Sequence, residues 1–164
     1  MGVLLSNSSI AYSIAMRVFA ALLVLVLVSC APKNTAKAAP APPLSAIKWS
    51  DLAGAPFTLT SMTVKLKEIQ LPATRRPTMQ FDEKNRVSGL AGVNRYTTEA
   101  AVSGKDGISW TGSPISTKMA GPPEAMAVED NFFQALQAVS RIELQNGKLK
   151  LASADGATRL ELTR

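Results

Sequence analysis

The sequence predicts an α+β fold: a curved, mainly antiparallel sheet packed on one main helix, preceded by a lipoprotein signal peptide and a Pro/Ala-rich tether. Three observations predict it. Two turn dipeptides, Asn146-Gly147 and Asp155-Gly156, punctuate an alternating apolar pattern in the last third of the chain. One helical pattern opens at Pro122-Pro123-Glu124. An apolar run over residues 18–29 follows Arg17 and ends at the single cysteine, Cys30.

The apolar run is shorter than the roughly 20 residues a membrane-spanning helix needs. Extending it backwards meets Ser13 and Arg17, and an arginine near a helix centre costs about 2.5–3.5 kcal/mol on insertion scales. A positive residue, a short apolar core and a small residue before a cut make a signal peptide instead. Its end, Leu27-Val28-Ser29-Cys30, resembles a bacterial lipobox. That chemistry needs a small residue before the cut and a thiol after it to take the lipid. Cys30 is therefore the expected lipid attachment site, and the mature chain is expected to start there. Ala31, rather than Asp, follows it, which in Gram-negative lipoproteins implies sorting to the outer membrane. The expected location is the cell envelope, lipid-anchored, on the outer membrane facing the periplasm. Met16-Arg17 runs directly into the apolar core, so Met16 is the expected true start rather than Met1.

Residues 31–45 carry Pro32, Pro40, Pro42 and Pro43 among Ala, Lys and Thr. Such composition buries too little apolar surface to fold and favours extended polyproline II. The organisation expected is thus residues 1–29 as signal peptide, 30–45 as lipidated cysteine and linker, and 46–164 as the folded domain.

Composition excludes several functions. The chain has no His, which removes the commonest general base and the commonest metal ligand. One Cys forbids an intramolecular disulfide. The net charge is +6, but the basic residues are scattered and no basic stripe with interleaved aromatics appears, so nucleic acid is not an expected partner. The expected partners are the membrane, through Cys30, and envelope proteins. No cofactor and no metal are expected.

Within the domain, Trp49 is expected as a core anchor near the start. Phe57-Thr58-Leu59 and residues 62–71 read as strands. In the second, Val64, Leu66 and Glu68 alternate with Lys65 and Lys67 at the period of a half-buried strand. Residues 71–77 form a loop between two prolines. Residues 78–81 and 86–98 form a central pair around a turn at 82–85. Gly89 and Gly92 fall inside the second strand pattern, where glycine marks a bulge or the close approach of another backbone. Residues 108–110 read as a short strand, and 113–119 are weakly patterned. Residues 123–139 form the helix, with Met126, Phe132, Phe133, Leu136 and Val139 on its apolar face. Glu124, Glu129 and Asp130 place negative charge toward its N-terminal half, where the helix dipole favours it.

The C-terminal third fixes its own register. The Asn146-Gly147 turn sets Leu144 opposite Leu149 and Ile142 opposite Leu151. A two-residue turn at Asp155-Gly156 sets Leu151 opposite Leu160 and Leu149 opposite Leu162. All five leucines and Ile142 then share one face, and the helix is the expected cover. On the other face Lys150 lies opposite Glu161.

Several motifs together resemble the META domain, the HslJ-like family of bacterial lipoproteins. They are Trp49-Ser50-Asp51-Leu52, Met79-Gln80-Phe81, Val87-Ser88-Gly89-Leu90-Ala91-Gly92-Val93-Asn94-Arg95-Tyr96, Thr117-Lys118-Met119-Ala120-Gly121, the Glu129-led helix, and Gly147-Lys148-Leu149-Lys150-Leu151. The resemblance implies a compact α+β domain exposed to the envelope and linked to heat shock and antibiotic tolerance. It implies no catalytic mechanism. The family's two usual cysteines are Val93 and Gly121 here. Losing both together is expected if the two positions sit close in the fold.

No residue set indicates catalysis. Asp82-Glu83, Asp106 and Asp155 sit in turns, and Ser88 and Ser116 have no visible base partner. The candidate binding residues are Asn94 and Tyr96, which would line a shallow site beside Gly89 and Gly92. The same pair also has a structural use: Asn94 satisfying backbone groups at a bulge, Tyr96 packing in the core. The expected function is that of an envelope lipoprotein with a non-catalytic domain, structural or stress-related, acting through protein contacts. The alternatives are a periplasmic small-ligand or peptide-binding module and a hydrolase.

Overall fold

The computed structural model describes residues 46–164. The signal peptide, Cys30, the tether and the choice between Met1 and Met16 lie outside the described residues. The elements in order are α1 (Trp49–Leu52), β1 (Phe57–Val64), β2 (Lys67–Glu68), β3 (Thr78–Phe81), β4 (Arg86–Leu90), β5 (Arg95–Ser103) and β6 (Gly107–Ser116). After them come α2 (Pro123–Ala138), β7 (Val139–Gln145), β8 (Lys148–Ser153) and β9 (Arg159–Thr163).

The expected curved sheet closes completely. The strands run β1-β3-β4-β5-β6-β7-β8-β9, and β9 returns to pair with β1, making an eight-stranded antiparallel barrel with β2 appended beside β1. An open β9 would leave a row of unpaired backbone groups, and closure removes that edge. Leu59 faces Leu162 and Met62 faces Leu160 across the closing seam, with a register shift between Leu59 and Ser61 that bends β1 into the ring. Side chains alternate inward and outward, and the inward ones (Phe57, Leu59, Met79, Phe81, Leu149, Leu151, Leu160 and Leu162 among them) are fully buried in one core.

The C-terminal meander has the register that its turns dictate. Ile142 pairs with Leu151, Leu144 with Leu149, Leu149 with Leu162 and Leu151 with Leu160, while Lys150 faces Glu161. Asn146 and Gly147 take φ of 50° and 75°, as a type I′ turn requires. The second turn is wider than two residues. Ser153 N–H donates to Thr158 O at 2.9 Å, and Thr158 N–H donates to Ser153 Oγ at 3.0 Å, closing the loop without changing register. Leu144 differs from expectation: it is half-buried, because it lies near the barrel end beside α1 rather than in the middle of the wall.

Three other readings need correction. Residues 62–71 are not one strand. Lys65 and Leu66 take positive φ (50° and 66°), so the chain reverses there and β2 pairs back on Thr63 and Val64. Leu66 is thereby 82% exposed instead of half-buried. The left-handed conformation costs an L-residue roughly 1–2 kcal/mol, and no Gly or Asn announces the turn. Residues 86–98 are two strands, β4 and β5, joined by a tight loop at 91–94. Finally, the short strand at 108–110 is part of the longer β6, which takes in the weakly patterned stretch only as far as Ser116 and shifts register against β5 near Gly112 (φ 73°).

The two helices take different places. In the ring, β1 and β6 stand on opposite sides, and α2 touches both, so it lies across the barrel. Val128, Phe132, Ala135 and Leu136 are its buried apolar residues. By α1, Trp49 packs edge-on against Phe81 and donates its indole N–H to Asp82 O. Arg164 donates to Asp51 O and Ala53 O, and its guanidinium lies 4.7 Å from the centre of the Phe57 ring.

Candidate functional site

The candidate binding residues fall where β4 meets β5: Asn94 ends the 91–94 loop and Tyr96 is the second residue of β5. Gly89 in β4 is a close-approach glycine: a Cβ there would lie 2.0 Å from Thr78 O. Gly92 is another, since its Cβ would lie 2.6 Å from Ala125 O of α2. Without side chains at these positions, β4 lies close against Thr78 of β3 and the 91–94 loop lies close against α2. Ala91 N–H donates to Asn94 O at 2.8 Å, which closes the loop.

Asn94 is 1% exposed. Its Oδ1 accepts from Met119 N–H at 2.7 Å and from Thr117 Oγ1 at 2.8 Å. Its Nδ2 donates to Met119 O at 3.1 Å and to Glu129 Oε1 at 2.8 Å. Two donors and two acceptor positions are all that a carboxamide has, and all are used. Asn94 thus ties the 91–94 loop to the 117–119 segment and to α2.

Glu129 completes this centre. It is 5% exposed, and its Oε2 accepts from Val93 N–H at 3.0 Å and Asn94 N–H at 2.7 Å. With the Asn94 amide on Oε1, three N–H donors compensate the removal of the carboxylate from water. Residue reading missed this role. Negative charge early in a helix already has a general explanation in the dipole. The available signal was position: Glu129 lies one residue from Val128 and three from Phe132, on the stripe that must be buried.

Tyr96 is buried by the same helix. Its hydroxyl donates to Thr78 O at 3.1 Å, and its ring meets Phe132 and Phe133 edge-on at 5.5 and 5.8 Å between centroids. Burial pushes its phenol pKa well above the ordinary tyrosine value. The structure therefore brings Asn94 and Tyr96 into one neighbourhood, where their polar atoms bond within the protein.

The turn acids have local work. Asp82 Oδ1 accepts from Arg86 N–H at 2.9 Å and Lys84 N–H at 2.8 Å, which lowers its pKa. Asp155 accepts from Ser153 Oγ and from Ala157 N–H at 3.0 Å, with the same effect. Among the described residues, no three of Asp, Glu, His and Cys group closely enough to hold a metal ion, and no helix is long and apolar enough to cross a membrane.

A surface hollow of about 310 Å³ opens beside α1. Ile47, Ile142 and Leu144 give it an apolar floor, and Asp51, Lys105 and Asp106 add charge. Its size is at the small end of the range for small-molecule sites.

Residues 50–164 match the family model of the META domain. No curated protein matches the chain. Among solved structures, an NMR structure of a protein from Burkholderia xenovorans is similar at 21% identity and a TM-score of 0.61, over 82% of this chain and 98% of that one. A second NMR structure is similar at 22% identity and a TM-score of 0.53, over 71% of this chain and 94% of the other. Both likenesses are of fold.

Proposed function

Because the chain belongs to the META domain family, we propose that it is an envelope lipoprotein whose META domain has a structural or stress-related role, acting without catalysis through contacts with envelope proteins. The observation that carries the non-catalytic reading is the saturation of the buried polar centre. Every polar position of the Asn94 amide is bonded within the protein, and both oxygens of Glu129 accept N–H donors. Neither residue is left free to move a proton or attack a substrate. The anchoring part rests on Leu27-Val28-Ser29-Cys30. Intact mass of the protein from the membrane fraction tests it: a diacylglyceryl adduct at an N-terminal Cys30 supports the anchor. An intact mass without that adduct, or one showing an N-terminus other than Cys30, counts against it.

The hollow beside α1 favours a second reading, a small-ligand or peptide-binding module. Amide shifts confined to Lys105, Asp106 and Asn146 on adding a candidate ligand would support that reading. Shifts spread over the barrel, or none, would not.

A further inference from the structure

The tip of the β1–β2 hairpin is built against ordinary preference twice over. Leu66 is a bulky residue at φ 66°, and it is 82% exposed. The positive φ closes the β1–β2 turn, which Gly or Asn would do at lower cost, and the exposed leucine side chain adds nothing to the core. An exposed, conformationally costly apolar residue is an observed outlier from which a function is inferred.

The tip is also held in place. Leu66 N–H donates to Ala157 O at 2.8 Å, and Lys65 N–H reaches Thr158 Oγ1 at 3.4 Å, so the β8–β9 loop braces the turn from behind. Lys65 and Lys67 flank the leucine, and both are exposed. Beside the tip lies an open hollow of about 680 Å³, lined among others by Lys65, Gln134, Gln137, Asp155 and Thr158. Asp155 is the one acid lining the hollow, and the Ser153 Oγ and Ala157 N–H donors to its Oδ1 keep it ionised, so the attraction for anionic lipid rests on Lys65 and Lys67 at the tip. Glu68, exposed on β2, is the nearest acid in sequence to the tip.

We propose that this hairpin tip is a contact site for an anionic lipid surface. Leu66 enters the headgroup layer, and Lys65 and Lys67 meet lipid phosphates. Charge complementarity selects a lipid surface as the occupant, because an apolar tip between two ammonium groups matches an apolar layer bordered by phosphates. The site does not depend on lipid at Cys30.

Co-sedimentation with vesicles tests this, using residues 40–164. That segment contains the described domain, residues 46–164 with its closed barrel and core, but not Cys30, so the result is independent of the anchor. The domain is expected to sediment with vesicles of equal phosphatidylglycerol and phosphatidylcholine, and much less with phosphatidylcholine alone. Lys65→Gln or Lys67→Gln should each weaken partition about fivefold. Leu66→Gly, which suits the positive φ and keeps the turn, should weaken it roughly tenfold with no loss of thermal midpoint. No sedimentation with the anionic vesicles overturns the proposal. So does binding that Leu66→Gly leaves unchanged, or equal binding to neutral vesicles.

Discussion

Val93 fills the space in front of Gly121. A Cβ built on Gly121 would lie 2.4 Å from Val93 Cγ2 and 3.2 Å from Val93 Cβ. These are the two positions where the family usually has cysteines. The chain replaces a close pair of side chains by one branched side chain and one glycine, and the segment leading into α2 stays against the 91–94 loop. Gly121→Ala should therefore destabilise the domain by about 1–3 kcal/mol through overpacking. Adding Val93→Ala should recover part of that loss, because the two share one volume. Strictly additive effects on the urea midpoint would show that the contact is not felt.

The meander predicts a contrast between neighbours. Leu151 is 1% exposed in the core, whereas Lys150 is exposed opposite Glu161. Leu151→Ala should cost about 2–5 kcal/mol, and Lys150→Ala no more than about 1 kcal/mol. Denaturation midpoints of residues 40–164 carrying each change measure this. Equal effects would overturn the register.

Tyr96 predicts an alkaline signature. It is the only tyrosine in residues 40–164, the other being Tyr12. Burial raises its pKa in the folded state. The unfolded chain therefore loses this proton first, and the stability contributed by the neutral phenol falls as pH rises above the ordinary value near 10. Phenolate absorbance should appear only as the domain unfolds. Ionisation of Tyr96 near pH 10 in a folded domain would contradict its burial.

Legibility in the sequence followed the range of the interactions. The meander was readable because Asn146-Gly147 and the alternating leucines are local signals that agree. The helix was readable from its prolines and apolar stripe. Closure of the barrel was not, because β1 and β9 meet from opposite ends of the domain, as at Thr58 and Thr163, and no local pattern encodes that pairing. The Lys65-Leu66 turn was hidden because neither residue favours positive φ; the bracing loop at 157–158 holds it there. Asn94 was readable as a polar residue with backbone to satisfy. Its partner Glu129 was not, since its acidity had an adequate explanation in the helix alone.

Glu129 and Asn94 form the internal clasp between α2 and the 91–94 loop. The most direct measurement is the urea midpoint of residues 40–164 with Glu129→Ala, beside Glu124→Ala on the exposed face of the same helix. Glu129→Ala leaves two buried backbone N–H groups without an acceptor, at about 1–3 kcal/mol each. Glu124→Ala should stay within about 0.5 kcal/mol of the parent. A Glu129→Ala midpoint far below that of Glu124→Ala is the result predicted here. Indistinguishable midpoints would contradict the clasp and return Glu129 and Asn94 to the list of groups free to bind a ligand.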